Sequence, residues 1–218
     1  MRIKLLILTA IIFISSCNDQ SAKEYFREAE KLENQGKYQE AIALLDKAIS
    51  KDKYDLGAYI NRGADKSALG DYKGAIDDYM FVATMDSTNT LALLNIGKNY
   101  KRLEDYKSAI VYFDKAMATK GGGPLFIVSS RFGENYNTGA DEIAFERGLA
   151  YFLSDSLKKA YSDFQYSLQN QYMMDDCYQF IGYIYLRYDE KDSACKYFNK
   201  AKVYGNMKAQ ADIDKYCQ

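Results

Sequence analysis

The segment GKYQEAIALL at residues 36–45 returns as GDYKGAIDDY at 70–79 and as EDYKSAIVYF at 104–113. Ala41, Ala75 and Ala109 are each 34 residues apart, and so are Tyr38, Tyr72 and Tyr106. Gly63 and Gly97 keep the same spacing, as do Gly148 and Gly182, Ala160 and Ala194, and Phe164 and Phe198. Gly97 and Gly148 stand 51 residues apart, one period plus an insertion of 17. Self-similarity at a fixed period of this length marks an array of stacked units.

Within each period two apolar-periodic stretches flank a short polar turn such as Asn34-Gln-Gly-Lys37. The pattern predicts a pair of antiparallel helices. A small residue in the first helix is expected opposite the alanine of the second, letting the two approach closely. Large aromatics are expected to fill the gaps between neighbouring units. One pair cannot bury its own apolar face, so successive pairs must stack.

The recurring order of a small residue, then Gly-x-Tyr, Ala, an aromatic and Ala resembles the tetratricopeptide repeat (TPR). Repeat one runs from Ala22 to Asp55, repeat two from Leu56 to Asn89, and repeat three begins at Thr90. Repeat four runs from Asp141 to Met174 and repeat five from Asp175 to Lys208. Leu157 replaces the turn tyrosine in repeat four, and the usual inter-repeat proline is missing throughout. The resemblance implies an all-α solenoid, a right-handed superhelix of helix-turn-helix units. The segment 209–218 reads as the polar capping helix that such arrays need at their end.

The first residues, MRIKLLILTAIIFISSC, combine Arg2 and Lys4 with an apolar run from Leu5 to Ile14. Ten apolar residues are too few for a permanent span and suit a signal-peptide core. Ile14, Ser15 and Ser16 before Cys17 resemble a bacterial lipobox. That resemblance implies cleavage after residue 16 and lipidation of Cys17, with 17–21 as a tether. Two or more acyl chains anchor a protein stably where one does so marginally. The repeat style and the Lys215-Tyr216-Cys217 ending resemble TPR lipoproteins of Bacteroidetes-type bacteria, which favours a lipid anchor in the cell envelope, at the outer membrane.

Composition narrows the function. The chain carries 29 Lys and Arg against 30 Asp and Glu. Without Arg2 and Lys4 the balance is 27 against 30, a net charge of −3 with no nucleic-acid footprint. There is no histidine, the commonest general base and metal ligand. No nucleophile motif, paired carboxylates in an apolar setting or phosphate loop stands out, so neither an enzyme nor a cofactor is expected. With no close Cys pair, no metal site is expected either. Cys195 and Cys217 lie on helices that should fold back around Gly205, which suggests a disulfide stapling the cap; two reduced buried thiols are the alternative. Cys177 reads as a small core residue.

In the TPR fold the first helices line the concave surface. The resemblance therefore implies a partner groove built from Ile60 and Ala64 of repeat two, Leu94, Lys98, Lys101 and Arg102 of repeat three, Phe145, Leu149 and Phe152 of repeat four, and Tyr183, Leu186 and Arg187 of repeat five. Such a groove is part apolar and part basic, suited to a peptide or helix with hydrophobic anchors and some acidic character. The alternative is that several of its apolar groups only pack between units. The carboxylate clamp of some cytoplasmic relatives is absent, because its places hold Phe26, Glu30, Asn61, Leu91 and Asn95 and only Asn61 fits. The inserted loop at 120–140 carries Phe126, Arg131 and Phe132, residue types that anchor interfaces, unless its apolar run only fills a seam. The expected function is a membrane-anchored adaptor or scaffold for a protein or peptide partner. An accessory or substrate-binding module of an envelope enzyme acting on peptidoglycan or polysaccharide is the alternative.

Overall fold

The computed structural model describes residues 20–119 and 138–218, and every regular element in them is a helix. Five hairpins follow one another: α1 (Ala22–Glu33) with α2 (Tyr38–Lys51), α3 (Leu56–Ala68) with α4 (Tyr72–Met85), α5 (Thr90–Arg102) with α6 (Tyr106–Ala118), α7 (Ala140–Leu153) with α8 (Leu157–Gln169), and α9 (Met174–Arg187) with α10 (Lys191–Val203). A last helix, α11 (Ala209–Tyr216), packs on α10. Each second helix contacts its hairpin partner and the first helix of the next unit, which makes the stack a solenoid. Most of the inserted segment at 120–140 lies outside the described residues; Thr138 is buried, and α7 opens at Ala140.

The turn inside each hairpin has one recurring backbone solution. Gly36, Gly70, Glu104, Asp155 and Asp189 occupy equivalent places, and all take positive φ, between 60° and 86°. The residue after each donates its amide back to the end of the first helix, as in Lys37 N to Leu32 O at 2.9 Å and Asp71 N to Lys66 O at 2.9 Å. That bond satisfies an otherwise orphaned helix carbonyl and reverses the chain. Asp71 and Asp105 then cap the second helices, accepting from Gly74 N and Ser108 N at 3.0 Å.

Close packing inside each hairpin departs from the expected small-on-small contact. The helix-one glycine lies beneath the second-helix aromatic, not opposite the alanine: Gly63 under Tyr79, Gly97 under Phe113, Gly148 under Phe164 and Gly182 under Phe198. These rings are almost fully buried, and they also reach the next unit, as expected of large aromatics: Phe164 stacks on Phe180 of α9 at 5.5 Å and Phe198 on Tyr216 of α11 at 6.1 Å. They fill the space left by the missing side chain, as interior packing density demands.

From repeat two to repeat five, two chemistries alternate at one pair of equivalent places in the hairpin. Arg62 of α3 grips Asp78 of α4 through Nε at 2.9 Å and reaches Asp46 of α2 at 2.6 Å. Arg147 of α7 repeats the arrangement, with Nε and Nη2 on Asp163 of α8 at 2.8 and 2.7 Å and Nη1 on Asp114 of α6 at 2.7 Å. Such a fork satisfies a buried carboxylate with two parallel bonds. The Asp163 hydrogen bonds, opposed by burial, hold the Arg147 guanidinium above its ordinary pKa. Repeats three and five carry Ile96 with Tyr112 and Ile181 with Tyr197 at these same places. There, Tyr100 stacks on Tyr112 at 5.6 Å and Tyr185 on Tyr197 at 5.2 Å.

Candidate partner-binding groove

The first helices α3, α5, α7 and α9 bring the expected groove residues into one row, but at three different depths. Ile60, Leu94 and Phe145 are only 5%, 1% and 7% exposed. Ile60 packs with Ala75, Ile76 and Tyr79 of α4 and with Ala92 and Ile96 of α5. Leu94 is held among α6 and α7 residues, and Phe145 lies against Phe164 and Tyr172. The fifth place of each unit is thus the seam between a hairpin and its successor. These three residues belong to the core, and the expectation that they face a ligand is corrected.

Lys98 and Lys101 do lie on the row, but their charge is already matched. Lys98 Nζ contacts Glu142 at 2.6 Å and Lys101 Nζ contacts Glu146 at 2.5 Å, both from α5 to α7. The basic middle expected for the groove is therefore neutralised by carboxylates one unit further on. Arg102 is exposed and Ala64 half-buried.

Repeats four and five carry the accessible apolar part. Leu149, Phe152, Tyr183 and Leu186 are half-buried. Phe180, which sequence inspection did not single out, joins them: its ring meets Phe152 edge-on at 5.4 Å and Tyr183 at 6.1 Å. Its signal was the place it shares with Glu146, one that recurs at the seam between first helices. Arg187 is exposed; its guanidinium lies 5.5 Å from the Phe152 ring centre and bonds Asp155 at 2.7 Å. The result is an apolar strip edged by one cation over an aromatic face.

The strip ends at the cap. Asp212 of α11 accepts from Gln179 Nε2 at 2.6 Å and from the Tyr183 hydroxyl at 2.8 Å. Burial, with the Asp212 carboxylate as hydrogen-bond partner, pushes the Tyr183 phenol up. Cys195 and Cys217 are joined by a disulfide with Cα atoms 5.6 Å apart, which ties α11 to α10. Cys177 is a buried free thiol. Cys17, Phe126, Arg131 and Phe132 lie outside the described residues.

Among the described residues no group of three Cys, Asp or Glu side chains could hold a metal ion, and no helix is long and apolar enough to cross a membrane. The buried carboxylates Asp78 and Asp163 are both committed to arginine forks.

The tetratricopeptide repeat family model matches residues 91–120 and 175–202. Both stretches fall in units that carry isoleucine and tyrosine where repeats two and four carry the arginine fork. No curated protein sequence matches the chain. Among solved structures, MamA from Desulfovibrio magneticus RS-1 (residue 41 to its end) is 20% identical, over 83% of this chain and 93% of that one, with a TM-score of 0.70. YrrB, described as a TPR protein with an unusual peptide-binding site, is 20% identical over 91% and 94%, at 0.67. PilW, a widely conserved type IV pilus biogenesis factor, is 17% identical over 88% and 89%, at 0.66. At these identities the likeness is one of fold, and the fold is the TPR α-solenoid.

Proposed function

We propose that this protein is a lipid-anchored adaptor of the bacterial cell envelope, at the outer membrane, which holds a partner protein or peptide on the first-helix face of repeats four and five. The observation that carries the reading is the strip of Leu149, Phe152, Phe180, Tyr183 and Leu186, left half-buried on a row whose two lysines, Lys98 and Lys101, are already paired. A partner helix or extended segment would cover it with its own apolar residues. The lipobox-like Ile14-Ser15-Ser16-Cys17 supports the anchor. The Cys195–Cys217 disulfide supports an oxidising compartment. The peptide-binding site of YrrB supports recognition by this fold.

Two measurements test the proposal. Palmitate labelling in cells should mark the wild-type protein and not Cys17→Ser; equal labelling, or none in either, removes the anchor. A photo-crosslinking residue at Leu186 should capture a protein in intact envelopes, and Leu149→Glu should abolish the adduct. Glycan or peptidoglycan hydrolysis by the purified protein alone would overturn the adaptor role.

A further inference from the structure

A second concave feature lies at the edge formed by the hairpin turns, between the start of α8 and the end of α9. It is a cleft of about 440 Å³ lined by Lys158, Tyr161, Ile184, Tyr185, Tyr188 and Glu190. Its floor is Ile184, which is buried, and its walls are tyrosine rings. The walls are fixed by contacts of their own. Tyr185 stands edge-on to Tyr161 at 6.2 Å and 86°, and stacks on Tyr197 at 5.2 Å. Tyr188, at 45% exposure, is the free wall. Beside it a second cleft of about 530 Å³ is lined by Leu157, Lys158, Lys159, Arg187 and Asp155, and shares Lys158 and Tyr188 with the first. Only Arg187 belongs also to the apolar strip of the groove.

The charges of the paired clefts are unequal. Asp155 is taken by Arg187 at 2.7 Å, and Glu190 accepts from Ser193 Oγ at 3.1 Å. Lys159 lies over the Tyr151 ring at 5.2 Å. Among the described residues, no carboxylate pairs with Lys158 or Lys159. Glu190 keeps its negative charge beside Lys158, but with Lys158, Lys159 and Arg187 against Asp155 and Glu190 the aromatic slot still opens onto a net positive surface. Rings already locked by their neighbours lose little freedom when a ligand enters. Open aromatic slots suit polyproline segments, which are extended before binding and bring flat rings to aromatic faces.

We propose that these joined clefts are a second binding site, taking an extended, acidic, proline-bearing segment of a partner protein. Prolines lie against Tyr161, Tyr185 and Tyr188, and a carboxylate within a few residues meets Lys158 and Lys159. The site is independent of the groove: it needs neither Leu149 nor Leu186.

Isothermal titration calorimetry of the full-length protein in detergent with the peptide Glu-Pro-Pro-Glu-Pro-Pro-Glu tests this. Saturable binding with a Kd below about 1 mM is expected. Tyr188→Ala and Lys158→Glu, both at exposed positions and so compatible with folding, should each weaken it at least tenfold, and Leu149→Glu should leave it unchanged. Replacing the prolines by alanine, or the glutamates by lysine, should also weaken it at least tenfold. The proposal is overturned by a lack of saturation at 1 mM, by wild-type affinity in both cleft variants, by loss in Leu149→Glu alone, or by equal affinity for the alanine peptide, which would reduce the site to unspecific charge, or for the lysine peptide.

Discussion

Gly97 of α5 lies under the ring of Phe113 of α6, so close that a Cβ at residue 97 would fall 2.5 Å from a ring carbon. Gly182 stands in the same relation to Phe198, also at 2.5 Å, while Gly63 under Tyr79 and Gly148 under Phe164 leave 3.0 Å. Overpacking a buried ring costs about 1–3 kcal/mol, against roughly 1 kcal/mol of helix propensity that alanine returns. Gly97→Ala and Gly182→Ala should therefore lower stability by up to about 2 kcal/mol, and Gly63→Ala and Gly148→Ala by clearly less. Urea unfolding of the four variants measures the order; stabilisation by the first two would show that the rings move aside freely.

This contact also marks where the sequence could and could not be read. The period of 34 made the hairpins, their number and their order legible, because every unit repeats its apolar pattern in phase. The period says which places recur, but not what faces them. The small residue was therefore expected against Ala75 or Ala109, whereas the ring four residues further along α4 or α6 covers it. The same gap explains the groove. Ile60 and Ala64 lie one helical turn apart on α3, yet the first is core and the second half-buried. Depth depends on how far the next unit overlaps, and that is set by packing between units. Pairing was equally hidden: Glu142 and Glu146 lie 44 and 45 residues beyond Lys98 and Lys101 because the insertion intervenes.

The turn place gives a prediction in the stabilising direction. Glu104 and Asp189 hold φ of 61° where Gly36 and Gly70 hold 74° and 86°. A left-handed residue other than glycine costs about 1–2 kcal/mol, partly offset because glycine gives the unfolded chain more freedom. Glu104→Gly and Asp189→Gly should each raise stability by about 0.5–1 kcal/mol, and Gly70→Ala should lower it. Thermal unfolding followed by circular dichroism reads both signs at once.

The alternation of seam chemistries makes a double-mutant cycle informative. Arg147→Ile alone leaves the buried Asp163 carboxylate without its fork, which should cost about 3–5 kcal/mol. Asp163→Tyr alone leaves the arginine without its main partner. The pair together recreates the isoleucine and tyrosine of repeats three and five, and should recover most of the loss. Additive losses in the double variant would show that repeat four cannot accept the chemistry of its neighbours.

Cys177 should titrate only at alkaline pH. Burial, with Asp176 and Asp175 close by, pushes its thiol up to about 12 from 9.0. The folded chain keeps a proton that the unfolded chain gives up, so the contribution is fully present below about pH 9 and is lost as pH rises towards 12. Stability should fall across that window in the wild type and less so in Cys177→Ala. At pH 8 the thiol should resist iodoacetamide until the protein is unfolded, because the thiolate is the reactive form. Rapid alkylation of native protein would place Cys177 at the surface.

The disulfide between Cys195 and Cys217 closes 22 residues of chain, so its reduction should cost about 3 kcal/mol through the freedom returned to the unfolded state. The loss should be local. Each unit contacts only its neighbours, so freeing α11 exposes the Asp212 bonds to Gln179 and Tyr183 in the middle turns of α9, and leaves α1 to α4 untouched. Hydrogen exchange of oxidised and reduced protein should differ over residues 205–218 and 176–183 and coincide over 22–85. Cys217→Ser should reproduce the reduced pattern without reductant. Uniform loosening along the whole array would mean that the units unfold as one body, and unchanged exchange in α11 would mean that the Gln179, Tyr183 and Asp212 network holds the cap by itself.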